Sequence, residues 1–528
     1  MHPSNQGVAP QSGMGIEIMT LDQVEQATVE GSRNPTSSNE NNEGVKVGGL
    51  SGLFGTFEYN DPSDPRRFPE WRKWQIILFT LPLELWANVI SSVYSFGAVQ
   101  VRDEFNVGST VSKVPQAIYL FGFALGPVIL APLSEDFGRY PVIGGSVLIL
   151  GLTQIACALT PHVSILIIFR FIGGFFAAGT FTSVGTVADM WGPEEQGWPV
   201  NIFALFAEIG AVMGPIFGGY LADEHGWRWL FGVAGIGCAA LLVPYLLFVP
   251  ETRAGVLLSR RAKELRRRTG DERYYAMHQK LRSQHTFSSM IRELIVRPLY
   301  MLLTEPIVFW FALFDGVNYA IIYIFLEAYP LIFDQYGFST GEQGLAFIGI
   351  LLGFLVGCLC YFFQISFYRR AARKRWSGEA SPEDRLLWGL PGGILFPVSL
   401  FWFAWTSQPP VHWIVPMLAG GFFGVSSHIM FLIVSDYTVA SYSIFAASAI
   451  AAQSLVRELL SGAFTLVTEQ MYHGLGYRWA SSLLGFIGLP LAAIPFVLFW
   501  FGPTIRSRSR VAVAEAKVET WLSKAVER

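Results

Sequence analysis

Three carboxylic acids stand alone inside long apolar stretches: Glu84, Glu208 and Asp315. A carboxyl removed from water favours its neutral form, so it can load and release a proton near neutral pH. Such a group suits proton coupling, in which one residue changes charge inside an apolar layer and senses what else occupies it. Glu208 is the first choice because it stands just before a glycine-rich run; Glu84 and Asp315 are its companions. The plain alternative is a permanently neutral, hydrogen-bonded acid or a structural partner of Arg170. That arginine, in Phe169-Arg170-Phe171-Ile172-Gly173-Gly174, is itself a proton-coupling candidate, because a charge at such depth is expensive unless paired or wet. Its alternative is snorkelling to the interface.

Further polar residues interrupt other apolar runs. Arg457 and Glu458 are adjacent, so on a helix they are expected to point in different directions rather than pair. Either could line a cavity. Tyr319 and Tyr323 stand four apart, below Asp315, and could meet a planar or amphiphilic ligand. Asp189, Glu327 and Asp436 fall near the ends of apolar runs, where water is expected. His428 titrates in the physiological range, although a lone histidine on an apolar helix reads first as a packing residue.

An apolar scaffold must hold these groups. The chain has 528 residues, 52% of them hydrophobic and only 15% charged, against about 25% charged in a soluble domain. Mean hydropathy is +0.40. This composition excludes an ordinary cytosolic enzyme and a collagen-like, disordered or disulfide-rich chain. The four cysteines, Cys157, Cys238, Cys358 and Cys360, lie in apolar runs and read as packing residues. A helical span needs about 20 mainly apolar residues to cross about 30 Å of hydrocarbon. Twelve stretches qualify, near 74–98, 113–133, 141–160, 163–187, 199–222, 228–249, 304–333, 342–366, 386–406, 412–435, 441–470 and 478–502. The expectation is an all-α membrane protein of two six-helix bundles. The divisions are a disordered tail over 1–70, a first bundle over 71–250, a basic central loop over 251–300, a second bundle over 301–505 and a tail over 506–528.

Charge sets the expected topology. Segment 251–300 holds twelve Lys/Arg against five Asp/Glu, and Arg66, Arg67, Arg72, Lys73, Arg506, Arg508 and Arg510 flank the outermost spans. The loops on the other side contribute only Arg102, Lys113, Arg228 and Arg478. The positive-inside rule therefore places both termini and the central loop in the cytoplasm. The basic loop could also bind anionic lipid, although a topology signal explains it more simply. Net charge is −3, so no global basic field points to nucleic acid. No Walker A sequence, metal-ligand cluster or nucleophile elbow occurs, so neither an enzyme nor a metal or cofactor is expected.

Two motifs carry mechanical chemistry. Ala131-Pro132-Leu133-Ser134-Glu135-Asp136-Phe137-Gly138-Arg139-Tyr140 sits between spans 2 and 3; Gly138 makes the turn, while Glu135 and Arg139 can latch neighbouring spans. In span 5, Gly210, Gly214 and Gly218 recur every four residues, with Pro215 and Gly219 among them. Glycines at that spacing let a second helix approach closely, and a proline removes one helix hydrogen bond, so a kinked seal or pivot between the halves is expected.

With the span-4 arginine, these motifs resemble the major facilitator superfamily; G-x-x-x-G-P-x-x-G-G matches its antiporter motif. Val249-Pro250-Glu251-Thr252-Arg253, Arg297-Pro298, Thr304-Glu305-Pro306-Ile307-Val308, Glu327-Ala328-Tyr329-Pro330 and Tyr442 with Ala446-Ala447-Ser448-Ala449 are similar to its fungal twelve-span drug:proton antiporters. The sequence departs from that pattern at Glu135, Asp136, Gln196 and Phe464-Thr465-Leu466. The resemblance implies a monomeric, multi-pass protein of the cell membrane or the vacuole. It would export amphiphilic small molecules, xenobiotic or endogenous, against protons. Export of polyamines or other organic cations is the nearest alternative, followed by a non-transporting nutrient sensor; the antiporter motif argues against nutrient uptake.

Overall fold

A computed structural model describes residues 53–54, 57, 61–192, 195–270, 274–276, 295–374, 381–442, 445–509 and 511. Most of the expected 1–70 tail, the stretches 271–273 and 277–294 of the central loop, Arg375 and residues beyond 511 lie outside the described residues.

Twelve helical spans cover Glu70–Phe105, Ser109–Phe137, Arg139–Ala158, Val163–Met190, Gly197–His225, Trp227–Phe248, Pro306–Asp334, Thr340–Tyr368, Pro382–Thr406, Ile414–Ser441, Ala446–Leu475 and Tyr477–Arg508. Lipid offers no hydrogen-bond partners, so the backbone must satisfy its own polar groups, and helices do so within each span. Each expected stretch overlaps one observed span. Because the count is even, the first span begins and the last ends at one face, which carries the basic flanking residues and is called here the basic face.

The two halves repeat one another. Gly226 joins spans 5 and 6 at φ 83°, and Gly476 joins spans 11 and 12 at φ 77°. The surrounding sequences, Gly226-Trp227-Arg228-Trp229 and Gly476-Tyr477-Arg478-Trp479, share a glycine, an aromatic, an arginine and a tryptophan. Both glycines close the preceding helix through their amides, Gly226 to Ala222 O at 3.0 Å and Gly476 to Tyr472 O at 3.1 Å. A residue with a side chain rarely adopts this left-handed geometry. Packing repeats as well: span 2 lies against span 4, and span 8 against span 10. A Cβ on Gly174 would sit 1.9 Å from Tyr119 O, and one on Gly353 would sit 2.1 Å from Gly421 O. Such duplication, with two bundles facing each other, is a common transporter plan.

Across the halves, span 2 packs on span 11 and span 5 on span 8. Span 1 is not one uniform helix. It runs as α-helix over Glu70–Ser92, tightens to a 3-10 turn over Val93–Gly97 and resumes over Ala98–Phe105. Span 5 stays helical from Gly197 to His225 with Pro215 inside it.

The basic central segment is not loop throughout. A helix spans Ala254–Thr269 and buries Val256, Leu258 and Ala262. Leu53–Phe54 and Tyr275–Ala276 form a short parallel strand pair nearby.

Replacing Gly174 with Val puts a branched side chain into the Tyr119 carbonyl. Overpacking of this kind costs about 1–3 kcal/mol, so the thermal unfolding midpoint in detergent falls, while Gly145→Val, where nothing lies within 4 Å, leaves it unchanged.

Candidate functional site

Mid-span, polar side chains from both halves form one buried network. Glu84 accepts from Thr180 Oγ1 at 2.5 Å and from Asn88 Nδ2 at 3.1 Å. Asn88 stands one helical turn after Glu84 and passes the chain on, accepting from Tyr319 Oη of span 7 at 2.9 Å. One turn further along span 7, Tyr323 Oη meets Ser91 Oγ of span 1 at 2.6 Å. Both tyrosines therefore tie span 7 to span 1 across the halves, and their rings lie 5.3 Å apart. The Arg457 guanidinium covers the Tyr319 ring at 5.0 Å. It pairs with Glu458 at 3.1 Å and Asp315 at 3.7 Å.

The contact between Arg457 and Glu458 corrects the expectation that adjacent residues diverge. The long arginine side chain bends back to reach its neighbour's carboxylate, because both groups are buried and each charge needs a partner within the protein. Glu84, Asp315, Tyr319, Arg457 and Glu458 are all buried.

Glu208 belongs to a second centre. Its Oε2 lies 2.5 Å from His428 Nδ1 of span 10, and Ser427 Oγ donates to Oε1 at 3.4 Å. The far ring nitrogen, Nε2, lies 3.0 Å from Asn201 Oδ1. Asn201 Nδ2 donates to Cys358 O at 3.3 Å, which orients the amide so that its oxygen faces the histidine. Nε2 must then carry a proton. The contact between Nδ1 and Oε2 needs a second proton held between imidazole and carboxyl, since two lone pairs would repel. His428 is thus more than the packing residue expected from sequence; it joins spans 5 and 10 across the halves through a titratable pair.

Arg170 stands apart from every candidate acid. It is fully buried. Its donors reach backbone carbonyls only, Pro115 at 3.0 Å, Ile90 at 2.9 Å and Ser91 at 3.4 Å. Tyr119 stacks on it at 4.3 Å. Ile90 and Ser91 precede the 3-10 turn of span 1, so the guanidinium donates to carbonyls where the helix type changes. This geometry is a clamp rather than a pairing with Glu84, Glu208 or Asp315.

The span 2–3 motif forms an ionic cluster at the basic face. Gly138 turns the chain at φ 112°, and a Cβ there would sit 2.0 Å from Glu251 Oε2. Glu251 Oε1 accepts from the backbone amides of Arg139, Thr252 and Arg253. Asp189 pairs with Arg139 and Arg253 at 3.2 Å each, and Glu135 lies 3.6 Å from both arginines. All these residues belong to spans 2, 3 and 4 or follow span 6, so the cluster braces one half and does not bridge the two. Asp189 is ion-paired rather than hydrated.

The glycine face of span 5 also divides its contacts. Cβ atoms on Gly210 and Gly214 would sit 2.4 Å from Leu85 O and 2.2 Å from Ser92 Oγ, both in span 1 of the same half. Gly219 faces the other half, where a Cβ on it would sit 2.5 Å from Thr340 O, and a Cβ on Gly344 would sit 2.3 Å from Pro215 O. Contact between the halves thus runs along Pro215 and Gly219.

At the face opposite the basic one, Lys113 bridges the halves. Its ammonium lies 2.6 Å from Glu327 Oε2 and 2.7 Å from Glu469 Oε2, and Ser109 Oγ donates to the same Glu469 oxygen at 2.5 Å. Lys113 and Glu327 are each only 8% exposed, which corrects the expectation of water around Glu327. Nearer the basic face, Trp198 meets Tyr361 edge-on at 5.2 Å. Contacts between the halves thus flank the central network on both sides.

The family model described as Major Facilitator Superfamily matches residues 74–465. The chain belongs to that superfamily. This transporter is 37% identical over 458 residues to "Uncharacterized transporter C530.02" of Schizosaccharomyces pombe, covering 86% of this chain and 84% of the relative. It is 34% identical over 461 residues to "Efflux pump FUB11" of Gibberella moniliformis, covering 87% and 77% respectively. Its fold is similar to that of the proton:xylose symporter XylE, at 17% identity and a TM-score of 0.59, over 82% of this chain and 96% of that one. The chain is a multi-pass membrane transporter.

Sequence reading singled out His428 without its partner Glu208, and missed the Lys113–Glu327–Glu469 bridge of this transporter. The available signal was a lysine and two acids at the ends of spans 2, 7 and 11, whose meeting depends on how the halves face each other. Removing one partner of a buried ion pair costs about 3–5 kcal/mol. Lys113→Ala therefore lowers the thermal midpoint well below that of the parent. Glu327→Gln added to it recovers part of the loss in a double-mutant cycle, since it removes the stranded carboxylate.

Proposed function

We propose that this transporter exports amphiphilic small molecules in exchange for protons, by alternating access of its two halves. The observation that carries the reading is the Glu208–His428 contact, 2.5 Å long and shared between the halves. With the shared proton present, imidazole and carboxyl attract. When that proton leaves, the Nδ1 lone pair faces the carboxylate and the contact between spans 5 and 10 weakens. Proton occupancy thereby biases how the halves meet, as a coupling device requires. A relative 34% identical over 87% of this chain is named an efflux pump, which supports the outward direction.

Cargo would displace the central network. Tyr319 and Tyr323 offer ring faces and hydroxyls, and Phe181 and Phe431 lie 5.6 and 5.5 Å from Arg457. An amphiphile with a planar part and a few polar groups suits these walls. A specific observation favours a second reading, an organic cation such as a polyamine. Two carboxyls, Asp315 and Glu458, share the guanidinium of Arg457, Glu84 lies in the same network on Thr180 and Asn88, and Asp315 Oδ1 has no hydrogen-bond partner among the described residues. The basic charges flanking the first and last spans support a cytoplasmic position for the termini under the positive-inside rule. The same reading puts a monomer in the plasma membrane or the vacuole. Glu135, Gly138 and Arg139 brace the first half as it moves, and the Pro215–Gly219 face is the surface on which span 8 pivots.

Retention of a fluorescent lipophilic dye in a pump-deficient yeast tests the reading. The parent protein lowers retention, and a protonophore reverses the effect. Glu208→Gln keeps a neutral hydrogen-bonding side chain beside His428, so it preserves thermal stability while retention rises to that of cells lacking the transporter. Glu208→Ala loses both stability and export. Unimpaired export by Glu208→Gln removes Glu208 from the mechanism.

A further inference from the structure

A cavity of about 420 Å³ opens at the basic face between the start of span 1, the segment after span 6 and the helix Ala254–Thr269. Arg72, Arg260, Ser63, Phe68, Pro250 and Glu251 line it, among others. The Arg72 guanidinium stacks on Phe68 at 4.6 Å, which fixes its plane. Among the described residues no carboxylate pairs with Arg72 or Arg260. Their neighbours differ: Arg261 is paired with Asp61, and Arg253 with Asp189 and Glu135. Glu251 also reaches the cavity, but its Oε1 is committed to three backbone amides at the span 2–3 turn. Two guanidinium groups against one carboxylate leave the cavity cationic.

Its depth is marked by the surrounding side chains. Trp71, beside Arg72, is 69% exposed, and Leu247, near the end of span 6, is 71% exposed. Apolar surface this open belongs in hydrocarbon, and tryptophan at a span end marks the interface. With that surface in hydrocarbon, the neighbouring residues Arg72 and Pro250 set the cavity near the level of lipid headgroups. On the polar side, Lys263 and Arg267 follow Arg260 on one exposed face of the helix, extending the positive field over the leaflet.

We propose that this cavity binds the phosphate of an anionic glycerophospholipid from the leaflet at the basic face, through Arg72 and Arg260. Guanidinium groups match phosphate oxygens with paired donors, whereas lysine offers only a point charge. The remainder of the basic helix supplies long-range attraction, and the cavity supplies the fixed contact. Docking there ties span 1 to the segment joining the halves, so an occupied site steadies that junction. The inference is independent of the transport reading.

Native mass spectrometry of the full chain in detergent tests it, with phosphatidylserine and phosphatidylcholine of the same acyl chains as probes. The parent retains one phosphatidylserine in preference to phosphatidylcholine. A basic residue near a charged bilayer is worth about fivefold in binding, so Arg72→Gln with Arg260→Gln weakens phosphatidylserine about 25-fold and leaves phosphatidylcholine unchanged. Arg72→Lys with Arg260→Lys, which keeps the charge and the fold, restores only part of the preference. Arg266→Gln, Arg267→Gln and Arg268→Gln together, which remove only long-range attraction, weaken it less than the double Gln variant does. Three results overturn the proposal: equal retention of both lipids by the parent; loss of preference in the triple variant with survival in the double one, which would mean a diffuse patch; or displacement of the lipid by millimolar inorganic phosphate, which would mean a site for free anions.

Discussion

Every charge inside the twelve-span bundle must be answered by another group of the protein, because lipid answers none. This constraint organises the interior. Arg170 spends its donors on three backbone carbonyls. Arg457 folds back onto the residue next to it. Lys113 takes two carboxylates from the other half. Glu208 takes a histidine from the other half. In the last two cases the solution to a local desolvation problem is also a contact between bundles. Moving the bundles apart must then re-solve the electrostatics.

Duplication explains why such contacts gather where they do. Spans 2 and 4 pack through glycines in the first half, and spans 8 and 10 do so in the second. These tight pairs make each bundle a stiff body. Polar groups inside a stiff body, such as the Arg139–Asp189–Arg253 cluster, brace it. Polar groups on the surface where two stiff bodies meet can exchange partners. Glu84 shows the transition: Thr180 and Asn88 hold it within its own half, while Asn88 hands the chain to Tyr319 across the gap.

The fold was legible in the sequence because each span is a local fact: about 20 apolar residues in a row need no partner to be recognised. Lone acids in apolar runs were legible for the same reason, and Glu84, Glu208 and Asp315 all prove buried. Their partners were not. His428 lies 220 residues from Glu208, and Asn88 lies 231 from Tyr319. Only the facing of two halves brings them together, and periodicity within one helix carries no trace of it. The Arg457–Glu458 pair failed for the opposite reason. Helix geometry alone forbids it, and desolvation overrode that rule. The internal repeat was present in plain letters, Gly-Trp-Arg-Trp and Gly-Tyr-Arg-Trp, yet its meaning rests on two matching left-handed glycine turns.

The two sides of the central network differ in chemistry, and the difference bears on how the bundles exchange states. At the face opposite the basic one the contact between the halves is ionic, a lysine between two carboxylates. Nearer the basic face it is aromatic and hydrogen-bonded, with Trp198 on Tyr361 and Asn201 on Cys358. Opening the ionic side loses Coulomb attraction but returns three charges to water, and for a buried pair those terms nearly cancel. Opening the aromatic side exposes apolar area at about 25 cal/mol per Å² and recovers little. Under the proposed proton coupling, sides of such different chemistry are the setting in which a single proton between Glu208 and His428 tips the balance. A protein closed by ion pairs at both faces, or by apolar packing at both, would leave that proton far less to decide.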